Sequence, residues 1–189
     1  MFVRSLIRAS ALALLSLVVA CASAPPSTLP TTVIAPVANH KTVVVAPLDY
    51  GHPYVVQAKP PLQCVPFARQ ESGVAIYGDA NLWWAKAAGH YARGTTPEPG
   101  SVMVLKGYHT DKRGHVAVVR RIVDDRTLII DHANWLGRGE ISRDVPVRDV
   151  SAANDWSEVR VWNIAGTRWG ARINTVQGFI YHSQAVASR

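Results

Sequence analysis

The sequence predicts an α+β domain in which short N-terminal helices pack on an antiparallel β-sheet. Three observations carry that expectation. Helix-start and helix-stop residues bracket two short segments, 64–72 and 81–88; after Pro97-Glu98-Pro99-Gly100 the chain turns to runs rich in Val and Ile; and the breaks between those runs hold the Gly and Asp of tight turns. With 48% hydrophobic and 17% charged residues among 189, there is apolar content for one core plus tails, which excludes disorder throughout. No glycine period or internal repeat appears, so collagen-like and solenoid architectures are excluded as well.

From the N-terminus, Arg4 and Arg8 precede an apolar run over 9–20 broken only by Ser10 and Ser16, the pattern of an export signal. The run is shorter than the roughly 20 apolar residues of a spanning helix. Residues 1–24 therefore read as a signal peptide with two competing processing sites. Val18-Val19-Ala20-Cys21 has the form of a bacterial lipobox, in which cleavage before Cys21 leaves it acylated, whereas Ala22-Ser23-Ala24 has the form of ordinary cleavage. Export implies the periplasm, the outer membrane as a lipoprotein, or the medium, with a lipid on Cys21 as the sole link to a membrane. Residues 25–61 carry prolines at 25, 26, 30, 36, 47, 53, 60 and 61 and read as an extended tether; Val43-Val44-Val45 and Tyr54-Val55-Val56 also have the character of short edge strands. The formal charge of +7 falls to +5 once Arg4 and Arg8 leave with the signal, and no basic run is denser than Lys112-Arg113 or Arg120-Arg121, so no nucleic-acid partner is expected.

Cys21 and Cys64 are the two cysteines, and processing at Cys21 leaves Cys64 with no intramolecular partner. An unpaired thiol in an exported protein is a buried apolar residue, one half of an intermolecular disulfide, or a nucleophile. In Cys64-Val65-Pro66-Phe67-Ala68-Arg69-Gln70-Glu71-Ser72-Gly73, the proline in the first turn and the glycine after the last predict a helix that begins at the cysteine. At that position unpaired amides and the positive dipole end favour thiolate and offer an oxyanion site. A second helix is expected over 81–88, with Gly78-Asp79 before it and Gly89 after it; Trp83 and Trp84 diverge on it by about 100°, so one of them is a candidate groove residue.

Strands are expected over 101–105, 115–123, 127–133 and 158–164. On the second, His115, Ala117 and Val119 share a face, and the small Ala117 makes room for the cysteine helix beside His115. On the third, Ile130, His132 and Asn134 point one way and Asp131 the other, which makes His132 and Asn134 candidate partners of His115.

Five blocks in order resemble the CHAP domain, the cysteine, histidine-dependent amidohydrolase/peptidase group of the papain-like NlpC/P60 superfamily. They are Gln63-Cys64-Val65-Pro66-Phe67-Ala68-Arg69, Gly78-Asp79-Ala80 followed by Trp84, Pro99-Gly100-Ser101-Val102, Gly114-His115-Val116-Ala117-Val118-Val119, and Ala133-Asn134-Trp135. The resemblance covers 62–163, and the catalytic domain is taken as 62–181. It implies a papain-like α+β fold, with Cys64 as nucleophile and His115 as general base acting on a peptide or amide bond of peptidoglycan. An amide is a poor electrophile with a poor leaving group, so a nucleophile, a proton donor for the departing amine and an oxyanion site are all required.

Many relatives carry Glu at the position of His132, so the resemblance leaves either Asn134 or His132 to orient His115. A neutral His132 accepts the Nδ1 hydrogen bond of His115 but stabilises the imidazolium less than a carboxylate. Gln63 is a candidate oxyanion donor, and Trp84, Tyr91 and Trp135 are candidates for the groove that holds glycan or stem peptide. His109, Asp111, His115, Asp131 and His132 match no zinc or calcium spacing, so no metal and no cofactor is expected. The chain reads as a monomer whose partner is peptidoglycan, and a catalytically inactive envelope-binding domain is the alternative function.

Overall fold

In the computed structural model, which describes residues 49–107 and 112–182, the cysteine helix packs on a barrel. All described residues belong to one unit, Val45–Arg189. The signal peptide, Cys21, the Pro-rich stretch through residue 48 with Val43-Val44-Val45, and His109 and Asp111 lie outside the described residues.

Helix α1 (Cys64–Ser72) tolerates Pro66 because first-turn amides have no intrahelical partner, and it stops at Gly73, whose φ of 74° lets its N–H reach the Arg69 carbonyl at 3.0 Å. The expected second helix is split into a 3₁₀ turn (Ala80–Leu82) and α2 (Trp83–Lys86). Trp83 is fully buried, whereas Trp84 is half-buried with the Arg93 guanidinium 4.6 Å from its ring.

The four anticipated strands are β3 (Val102–Leu105), β4 (His115–Asp124), β5 (Thr127–Ala133) and β7 (Glu158–Asn163). Tyr54-Val55-Val56, offered above as an edge strand, is β1 (Tyr54–Val56) and pairs with β6, and four strands were not anticipated: β2 (Ala92–Gly94), β6 (Ile141–Asp149), β8 (Arg168–Trp169) and β9 (Asn174–Tyr181).

The sheet runs β6-β5-β4-β3-β9-β7, and β7 returns to pair with β6 through Val147↔Val161 and its neighbours. Six antiparallel strands thus close into a barrel, with strand taking 40% of the described residues and helix 12%. This overturns the expected papain-like α+β arrangement of N-terminal helices layered on an open sheet. The reason lies in β6 and β9, which link β7 to β5 on one side and to β3 on the other and so close the sheet on itself. Period-2 alternation sorts the side chains. Met103, Leu105, Ala117, Val119, Leu128, Ile130, Val145, Val147, Val161 and Phe179 fill the barrel, while Val102, Val104, Val116, Val118 and Ile180 face outward under α1 and Trp83. At about 1.5–3 kcal/mol for each large apolar side chain buried, both the barrel interior and the layer under the helices contribute, and the helices form an external cap. The cysteine helix therefore sits over Val116 and Val118, on the opposite face of β4 from Ala117, where the sequence had placed it.

Candidate active site

The chain enters α1 across the turn that follows β5. Leu62 N–H donates to the Gly139 carbonyl at 2.9 Å, and Asn134 Nδ2 donates to Gln63 Oε1 at 2.6 Å. Asn134 Oδ1 in turn accepts the Gly139 N–H at 2.8 Å. These bonds fix Gln63 in extended backbone (φ −86°, ψ 159°) and set Cys64 as the first helical residue. The half-buried Cys64 sulfur meets the backbone N–H groups of Val116, Val65 and its own residue. The Val116 contact puts the thiol beside the start of β4, where His115 stands.

Gly114 allows that approach. A Cβ there would lie 2.7 Å from the Asn81 nitrogen and 2.8 Å from its Cα, so the 3₁₀ turn packs directly on the backbone before His115. Cys64, His115, Gln63, Asn134 and Trp135 line one groove of about 820 Å³, together with Pro66, Asp79, Asn81, Lys112, Arg113, Leu136 and Gly137.

Behind His115, its Nε2 is 3.0 Å from Nδ1 of His132, with the two rings edge to face. The Trp135 ring covers both, at 4.9 Å from His115 and 5.1 Å from His132. The nitrogen engaged is Nε2 rather than the anticipated Nδ1. His132 is buried; Asp131 points to the other face, where Arg143 (2.7 Å), Arg120 (3.3 Å) and the Asp144 N–H (2.9 Å) surround it. Arg143 also donates to Glu71 of α1 at 2.9 Å, so the cysteine helix and the strand of His132 share one charged clasp. The hydrogen bond from Arg143 holds the Glu71 carboxyl below its usual range.

Of the anticipated site residues, Cys64, His115, His132, Gln63, Asn134 and Trp135 converge. Asn134 is engaged by Gln63 and the turn, while His132 holds the imidazole. Trp84 and Tyr91 stand elsewhere. Trp84 packs over Gly178 and Arg93, and Tyr91 accepts the Ala75 N–H at 2.9 Å beside a separate cavity shared with Tyr77 and Lys86. Arg172 was not singled out from the sequence, yet its charge acts on His115; a lone Arg before a strand that itself escaped notice carries no local signal.

Burial sets the protonation states. It pushes the Cys64 thiol up, outweighing the three amide contacts that favour thiolate. It pushes His115 down to about 3, with the Arg172 charge as a smaller cause, and it holds His132 well below its ordinary value, His115 adding to the effect. The resting pair is thus thiol and neutral imidazole, not the thiolate expected from the helix terminus alone. A neutral His–His pair shares one proton along its hydrogen bond, whereas two imidazolium rings would oppose N–H to N–H.

A stability consequence follows with a definite sign. In the unfolded chain these histidines take up protons near pH 6.5; in the folded protein His115 does so only near 3. Stability is therefore complete above about 6.5 and falls as the pH drops below it, by about 1.4 kcal/mol per pH unit for each proton excluded. Urea midpoints measured from pH 7 to 5 are expected to fall, and less steeply in His132→Phe; identical slopes for the two proteins would contradict the assignment.

A thiol and an imidazole on one groove, with a second histidine behind the imidazole, are the parts of a cysteine hydrolase site. Residues 53–134 match the family model of the CHAP domain, a family typically hydrolytic on peptidoglycan. The match ends at Asn134, before the strands β6, β7 and β9 that close the barrel. No curated protein matches this chain.

Proposed function

We propose that this protein hydrolyses an amide or peptide bond of peptidoglycan, with Cys64 as nucleophile, His115 as general base and His132 as the group that orients it. The observation that carries the reading is the shared groove of Cys64 and His115 with His132 hydrogen-bonded at 3.0 Å behind the imidazole. With Nε2 of His115 donating to His132 Nδ1, Nδ1 of His115 is left as the basic nitrogen that receives the thiol proton in this reading.

As the sulfur attacks the carbonyl carbon, its proton passes to His115 Nδ1, so the uphill ion pair forms only together with the new bond. The resulting oxyanion is received by the first amides of α1, and by Gln63 Nε2, the donor end of an amide whose oxygen is held by Asn134. The imidazolium then gives its proton to the departing amine, leaving a thioester on Cys64. Water attacks the thioester with His115 again as base, releasing the carboxylate and restoring the thiol. Lys112 and Arg113 on the groove suit a substrate rich in carboxylates.

Purified sacculi incubated with wild type and with Cys64→Ala test the reading. Soluble fragments with new amine and carboxyl termini are expected from wild type alone. Retention on sacculi by both proteins with no fragments would instead establish the envelope-binding alternative. Export, with anchoring through an acylated Cys21, belongs to the same proposal and rests on the Arg4/Arg8 and lipobox pattern. A fatty-acid analogue fed to expressing cells is expected to label the chain, and label that persists in Cys21→Ala would refute the anchor.

A further inference from the structure

His115 faces a second space besides the groove it shares with Cys64. A pocket of about 300 Å³ opens where the ends of β3, β4 and β9 meet, and its lining includes Lys106, Arg113, His115, Trp135, Arg172 and Asn174. Three cations from three separate chain segments rim it, and among its described lining residues there is no carboxylate. Asn174, 4% exposed, is a further polar residue of its lining, with Nδ2 donating to the Val159 carbonyl at 3.5 Å. It adjoins the nucleophile's groove, sharing Arg113, Gly114, His115 and Trp135 with it.

We propose that this pocket is a carboxylate subsite, which seats the ionised carboxyl of a residue flanking the scissile amide and so directs the enzyme to acidic stem peptides. The inference rests on the hydrolase reading and deepens it. Guanidinium groups pair with carboxylates through parallel, charge-assisted hydrogen bonds, and Arg113 and Arg172 approach the pocket from different segments, as a bridging anion requires. The charge of Arg172 already acts on the imidazole. A carboxylate seated between them offsets that charge and makes His115 a better proton acceptor when substrate is bound.

The test is calorimetric titration of Cys64→Ala, which keeps every residue of the pocket, with a soluble stem peptide carrying free carboxyls and with the same peptide carboxamidated. The free acid is expected to bind roughly ten-fold more tightly, the ratio falling toward one in proteins that also carry Arg113→Gln or Arg172→Gln and being partly kept by Arg172→Lys. Equal affinities for the two peptides, binding of neither, or a ratio unchanged by both Arg→Gln substitutions would overturn the subsite. A turnover arm with wild type keeps the two readings apart. Equal cleavage of both peptides sinks the subsite and leaves the hydrolase standing, while cleavage of neither sinks the hydrolase, and the titration still decides the subsite.

Discussion

His115→Ala is expected to lower the rate of fragment release from sacculi by about 10³-fold or more, since general acid–base catalysis contributes about 10²–10⁴ and the proposed mechanism uses this one ring as base in both half-reactions. The loss should fall on kcat with KM little changed, because His115 is assigned to moving protons rather than to holding the sugar or peptide. The alanine variant leaves His132 Nδ1 without its partner at 3.0 Å, a buried polar group whose desolvation costs about 1–3 kcal/mol. His115→Asn keeps a hydrogen-bonding amide near that position and separates chemistry from folding, since it is expected to melt near wild type and remain inactive. Wild-type turnover by folded His115→Asn would remove the base assignment.

The second large effect concerns His132. Its contact with His115 is direct, whereas Asn134 bonds Gln63 and Gly139. His132→Phe keeps an aromatic ring under Trp135 but loses the acceptor, and a loss of about 10²-fold in kcat is expected. Asn134→Ala frees Gln63, so its effect is expected on oxyanion stabilisation and groove shape, with the pH profile unmoved. His132→Glu supplies the carboxylate that many relatives of the resembled family carry at this position. A negative partner stabilises the imidazolium and raises the pKa of His115, which moves the acid limb of the kcat profile to higher pH. Profiles that move in Asn134→Ala and stay fixed in both His132 variants would reverse the assignment.

The helix of Cys64 was legible because its punctuation is local: Pro66 in the first turn and Gly73 at a left-handed stop need no tertiary information. His115 was legible for a similar reason, standing at the head of an uninterrupted apolar run just after Gly114. Barrel closure was not. In β6, Arg143 and Asp144 both oppose Asp131, and Asp144 adopts φ 52°, so a bulge breaks the alternation that marks a strand, and Pro146 further disguises it. In β9, Gly178 interrupts the run at the point where Trp84 lies against the backbone.

The choice between Asn134 and His132 failed to resolve for a geometric reason. Strict alternation turns both side chains the same way, but Asn134 has φ 59°, which swings it out of the strand into the turn and toward Gln63. The protonation state of Cys64 likewise depended on what covers it. The helix-terminal amides are local and readable, while the burial that outweighs them comes from β4, far along the chain.

In the proposed mechanism, the thioester on Cys64 is the step from which the rest follows. Wild-type protein mixed with sacculi, quenched in acid within the first turnovers and digested, is predicted to yield the Cys64 peptide carrying the mass of an acyl fragment, with none in Cys64→Ala and no release by that variant. Soluble fragments released by Cys64→Ala at the wild-type rate, with no adduct in either protein, would contradict the account.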